Sequence, residues 1–186
     1  MATSIAAPEG LVLRRLADRS TAAHTEARAF CLDVIKEFYG FDYRADWHED
    51  LDSLCGSSAK NHYSTVNLGA FWTLSLSDGA IVAAAGVRAI TWKPRIVDAY
   101  AERYESVERV GSLWRVYVRK DRRRRGLGSW LARLAEVEAR RLGFSVMYLH
   151  ANADAAATIA FWEACGYVLF ESRDMTAHMD KPIADG

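Results

Sequence analysis

Apolar residues change their spacing several times along this chain, and each change predicts an element. Residues 11–17 (LVLRRLA) read as a short strand. Ser20 or Thr21 can cap a helix over 24–39, where Ala27, Cys31, Val34, Ile35 and Phe38 share one face and Gly40 ends the run. Residues 70–77 and 80–90 are strand-like and flank Asp78-Gly79, a strong hairpin signal. Between 91 and 111 the chain is charged. Val97, Tyr100, Ala101, Tyr104 and Val107 hint at a short helix there, and a flap fits equally well. A strand around Leu113, Trp114, Val116, Tyr117 and Val118 gives way to helical spacing over 127–142. A strand at 146–150, a helix over 155–164 and two short strands at 168–172 and 175–179 follow. A strand–helix–strand unit makes a parallel pair and the hairpins make antiparallel ones, so the predicted class is α/β with a mixed, mostly antiparallel sheet.

Composition changes this picture little. The 186 residues are 51% hydrophobic, with three prolines, and suit one ordered domain over 10–183 behind a flexible tail at 1–9. The first residues lack the pattern of a signal peptide, and the longest apolar run, 80–87, is too short to cross a bilayer. Cys31, Cys55 and Cys165 have no metal-type spacing; they predict a reducing, cytoplasmic setting and no metal.

Charge changes it more. The chain is neutral overall, yet residues 114–143 carry ten basic and three acidic side chains, net +7. A local positive field in a neutral protein predicts a small anionic ligand and argues against nucleic acid. The basic turn 119–125 leads into Gly126-Leu127-Gly128 at a helix start, where backbone N–H groups without internal partners suit a phosphate.

Arg123-Arg124-Arg125-Gly126-Leu127-Gly128, preceded by Tyr117-Val118, resembles the Arg/Gln-x-x-Gly-x-Gly/Ala signature of the GNAT superfamily of N-acetyltransferases. The order of elements resembles that fold from end to end, including its splayed central sheet flanked by helices. The resemblance implies acetyl-CoA as co-substrate. It also implies that the backbone of Val116, Tyr117 and Val118 binds the pantetheine arm. Arg123, Arg124, Arg125, Gly126, Leu127, Gly128 and Ser129 would wrap the pyrophosphate, with Arg119 and Arg122 near by. Two positions depart from the family. Its usual Asn, and the Tyr seven residues later that protonates the departing thiolate, correspond to Ala155 and Trp162 here. An indole has no proton to give readily; solvent can protonate a thiolate whose acid has a pKa of about 8.5, and Tyr117 is the other catalytic candidate.

The base is open among Glu105 and Glu108, His24, Glu26, His48 and Glu49, and the pair His150 and Asn152. The acidic stretch 41–53 gives Glu49 and Asp50 as candidate acceptor-binding residues and suggests a cationic small amine; a protein amino group is the other acceptor class. The expectation is an acetyl-CoA-dependent N-acetyltransferase working by direct transfer. The alternative is an acyl-CoA-binding sensor or structural subunit without turnover. No membrane or nucleic-acid partner is expected, and a homodimer is compatible with the pattern.

Overall fold

The computed structural model describes residues 5–183. Seven strands form one sheet: β1 (Val12–Arg15), β2 (Ala70–Ser75), β3 (Ile81–Ala89), β4 (Val110–Val118), β5 (Val146–Asn152), β6 (Val168–Arg173) and β7 (Thr176–Pro182), in the order β1-β2-β3-β4-β5-β7-β6. Only β4 and β5 run parallel. Five helices cover it: α1 (Ala22–Tyr39), α2 (Glu49–Leu54), α3 (Pro94–Tyr100), α4 (Leu127–Arg141) and α5 (Ala156–Ala164). This is the mixed, mostly antiparallel α/β architecture that the pattern predicts. The segment left open as helix or flap is α3 with short 3-10 turns on either side; Pro94 opens it, where its missing N–H costs nothing.

The sheet separates two cores. On one face Leu131, Ala135 and Ala139 of α4 pack on Ala83, Ala85, Val87 and Leu113. On the other, Cys31 and Ile35 of α1 and Leu51 and Leu54 of α2 pack on Phe71, Ala84 and Trp114. Small side chains on β3 let both layers approach. A Cβ at Gly86 would lie 2.5 Å from the Tyr63 ring, so this position admits only glycine while Tyr63 stays in place. Of the residues expected to form a flexible tail, Ile5 packs against the α4 core, and Trp130 Nε1 donates to the Ala6 carbonyl at 3.2 Å. An apolar side chain with a core to reach gains more by docking than by staying in water. The remainder of that tail, residues 1–4, lies outside the described residues.

Two irregularities position the site. First, β4 and β5 pair only from Val110↔Val146 to Ser112↔Tyr148 and then diverge, while β4 stays paired to β3 as far as Val118↔Ala83. The β5-side edge of β4 beyond Ser112 therefore carries backbone groups with no strand partner, inside a notch. Second, β4 bulges: Trp114 pairs Gly86 and Tyr117 pairs Ala84, and Arg115 between them has φ +51°. The extra residue restores Trp114 and Tyr117 to the same face, the α1/α2 side.

Candidate functional site

At the end of β4 the chain turns through residues 119–126 into α4. Gly126 is the cap of that helix in the left-handed region, φ +76°, and a Cβ there would meet open space. Among the described residues the N–H groups of 124–129 have no acceptor; Trp130 is the first to bond back, to the Gly126 carbonyl at 3.0 Å. Six donors at a helix N-terminus, next to the notch, make a cradle that fits a diphosphate. The arginines divide. Arg119 is paired with Asp121 at 2.7 Å, and Arg123 donates from Nε to the Val118 carbonyl at 2.9 Å, tying the turn to the strand. Arg124 and Arg125 are exposed and have no ion-pair partner among the described residues. Leu127 is buried, Gly128 lies against the Phe161 ring, and Ser129 Oγ donates to the Gly126 carbonyl at 3.0 Å. Val116, Tyr117 and Val118 lie on the diverging part of β4, so the turn joins both halves of the expected coenzyme site.

The α1/α2 face of the notch is polar inside. Arg115 points from the bulge to Asp50: Nε donates to Oδ2 at 2.9 Å and Nη2 to Oδ1 at 2.5 Å, with a further bond to the Trp47 carbonyl. Tyr63 also donates to Asp50, at 2.6 Å. Burial pushes the Asp50 carboxyl up, but the Arg115 charge and these hydrogen bonds outweigh it and hold the group well below the usual carboxylate range. Asp50 is thus directed into the protein, neutralised by Arg115; of the two expected acceptor residues only Glu49 is at the surface.

Tyr117 receives a bond from Arg115 Nη1 at 3.2 Å. Burial raises its phenol to about 12, with Arg115 opposing, so it is protonated throughout the physiological range. Beside it, Trp114 has a crowded ring. Arg88 lies 4.1 Å from the ring centre, the Lys93 ammonium 4.5 Å and the Arg115 guanidinium 5.6 Å, while His150 meets it edge to face at 4.9 Å. His150 lines the notch, where the protein around it and the charges of Lys93, His178, Arg115 and Arg88 hold its imidazole below the ordinary value. His62 stacks on Trp92 at 4.0 Å, contacts Arg88 Nη1 through Nδ1 at 2.6 Å, and is lowered to about 4 by burial and the Arg88 charge.

Other candidates have structural roles. His24 bonds the Thr21 backbone and the Ala17 carbonyl at 3.0 and 2.8 Å, completing the cap of α1. His48 is buried and accepts the Arg44 N–H at 2.9 Å. Glu26, Glu105 and Glu108 are exposed; Asn152 caps the next turn by accepting the Asp154 N–H at 2.9 Å. Trp162 is buried beside Tyr167 in the α4 core, and Ala155 precedes α5. Arg88, Lys93, His62 and Arg115 escape a sequence reading. The one signal was a lone arginine inside the apolar run 80–90; the others are brought in by loops and by the bulge. Among the described residues no His, Cys, Asp or Glu cluster could hold a metal, and no helix is long and apolar enough to cross a membrane.

The Acetyltransferase (GNAT) family model matches residues 32–167. Among solved structures, a GNAT-family acetyltransferase from Staphylococcus aureus Mu50 superposes with a TM-score of 0.67 at 14% identity, over 93% of this chain and all of that one. The PaiA N-acetyltransferase of Thermoplasma acidophilum, in complex with coenzyme A, gives 0.63 at 12% identity, over 92% and 98% of the two chains. YncA of Salmonella typhimurium, with its cofactor acetyl-CoA, gives 0.63 at 14%, over 96% of each. At these identities the likeness is one of fold. No curated protein sequence matches the chain.

Proposed function

The chain belongs to the GNAT acetyltransferase family, and from that premise we propose that it moves the acetyl group of acetyl-CoA to an amine by direct transfer. The observation that carries this reading is the ring of unpartnered N–H groups at 124–129, set beside the unpaired edge of β4. Acetyl-CoA supplies an activated thioester. The N–H groups of 124–129 take its pyrophosphate, with Arg124 and Arg125 adding charge, and the backbone of Val116, Tyr117 and Val118 aligns the pantetheine arm. The neutral amine attacks the carbonyl carbon, the C–S bond breaks, and the amine loses its extra proton to solvent.

Magnitudes assign the side chains. An imidazole held below its ordinary pKa is a weak base for an amine's proton, so His150 accepts a hydrogen bond and orients the nucleophile. A phenol at about 12 does not hand its proton to a thiolate whose acid has a pKa of roughly 8.5. Tyr117 therefore donates a hydrogen bond that stabilises the departing sulfur, and water protonates it later. Cys31, buried and raised to about 12, is no nucleophile.

Calorimetric titration of acetyl-CoA into the wild type and Gly126→Trp tests the coenzyme half. Micromolar binding lost in the variant supports it, and no binding to the wild type removes it. Release of CoA thiol across an amine panel tests the transfer. The burial of Trp162 where relatives carry a proton donor favours one second reading, an acyl-CoA-binding protein without turnover. Tight acetyl-CoA binding with no thiol release would select it.

A further inference from the structure

Five arginines of this chain fill the Nε/Nη2 edge of the guanidinium with a carboxylate. Arg28 does so with Asp52, Arg103 with Asp180, Arg115 with Asp50, Arg119 with Asp121 and Arg173 with Glu171. Arg88 differs. It is 1% exposed, and among the described residues its Nε and Nη2 have no hydrogen-bond partner. Its Nη1 touches only the neutral His62, and the Trp114 and Tyr63 rings offer π faces at 4.1 and 5.8 Å. A buried charge without a counter-ion is costly, and π faces recover only part of that cost.

The charge balance around it points the same way. Arg88, Lys93 and Arg115 converge on Trp114, and the buried anion among them, Asp50, is held bidentately by Arg115. We infer that the Nε/Nη2 edge of Arg88, with Lys93 beside it, binds a carboxylate of the acceptor, so that the amine acetylated belongs to an amino-carboxylate compound. A planar, two-oxygen anion matches the fork geometry that Arg103, Arg115 and Arg119 display, each meeting both oxygens of its carboxylate. Burial and the like charge of Arg88 hold the Lys93 ammonium below its ordinary pKa, a strain that a bound anion relieves.

The coenzyme phosphates do not serve as this anion. Arg88 pairs with Ser112, and the six residues from there to Val118 span roughly 20 Å of strand before the phosphate turn begins. The acidic stretch 41–53 suggested a cationic acceptor; within the fold Asp50 and Asp52 are engaged by Arg115 and Arg28, which leaves the interior of this face net positive.

The inference rests on the acetyltransferase reading for its substrate, and the test separates the two. Amino acids and their carboxamides serve as matched pairs. Each is assayed as acceptor by CoA thiol release, and as ligand, without acetyl-CoA, by the shift of the Arg88 Nε–H resonance in nitrogen-15 spectra. The expected result is a preference of tenfold or more in kcat/KM for the carboxylate member of at least one pair, residing in KM. It should fall below threefold in Arg88→Met and in Lys93→Met, the second at a partly exposed position. The resonance should move with the carboxylate and not with the amide. Equal kcat/KM within every pair, or a preference for the amides, overturns the carboxylate site while transfer itself stands. A carboxylate-dependent resonance shift with no thiol release from any amine supports the site and removes the transferase reading.

Discussion

On the α4 face of the sheet, Lys181 reaches into a nearly buried site and gives each of its three donors an acceptor: both oxygens of Glu136 and the Cys165 carbonyl, all at 2.9 Å. On the α1/α2 face, Arg115 and Asp50 form a pair of similar quality, but Arg88 beside them is left with two donors unmatched. Both faces bury charge, and only one balances it. The Lys181–Glu136 pair ties β7 to α4 beneath the last turn of α5 and completes a structure. The Arg88 cluster keeps an unused binding capacity where the strands part. Buried polar groups are nearly always satisfied; among the described residues the Tyr167 hydroxyl and Arg122 Nε are also unmatched, but Arg88 alone leaves two nitrogens of a fully buried charged group so, and that separates its cluster from the Lys181 pair.

Breaking that comparison begins with Asp50→Asn, which strands Arg115 in the interior beside Arg88. Urea unfolding should show a loss of about 3–5 kcal/mol, the usual result of removing one partner of a buried pair. The pH dependence carries its own sign. Asp50 has a folded pKa below its unfolded value of about 3.9, so its contribution is complete above that value and is lost as pH falls through the acid range. The stability gap between wild type and Asp50→Asn should be constant from pH 5 to 8 and shrink below about pH 4; a gap that widens in acid contradicts the assignment.

Lys181→Met removes the balanced partner on the other face. The Lys181 side chain is a quarter exposed, so a smaller loss of about 2–3 kcal/mol is expected, with the Michaelis constants for acetyl-CoA and acceptor unaltered. For Tyr117→Phe the readout is kinetic. The kcat should fall about tenfold, the worth of one hydrogen bond to a charged group, at unchanged acetyl-CoA affinity, and the pH profile of wild type should show no phenol limb up to pH 10. The smallest effect has the opposite sign. Arg88→Met, which removes an uncompensated charge, should raise stability by about 1 kcal/mol. Thermal unfolding in acceptor-free buffer measures it, and a loss would mean that Arg88 is structural like Lys181.

Most of the fold could be read in advance from local rules. Thr21 and Gly40 bracket α1, Asp78-Gly79 joins β2 to β3, and the 3.6-residue spacing after Gly126 marks α4, because capping, turn and periodicity signals act over a few residues. The segment around α3 was the harder part, left open between helix and flap, since it is set by packing on distant elements. The turn proposed to hold the coenzyme was legible for the same local reason: glycines, a basic run and a helix start are consecutive in the chain.

The acceptor side was not legible, because its chemistry is made by juxtaposition. Asp50, Tyr63, Arg88, Lys93, Arg115 and His150 come from α2, a loop, β3, the start of α3, β4 and β5, and no spacing links them. The chain's acidic stretch looked like free charge until the fold paired Asp50 with Arg115 and Asp52 with Arg28. Sequence alone therefore determined the order of elements, the family and the glycine turn before α4, all products of short-range covalent neighbours. Tertiary structure alone decided which charges cancel and which stay unmatched, since Coulomb and hydrogen-bond energies depend on distance through space and on burial, neither of which is written along the chain.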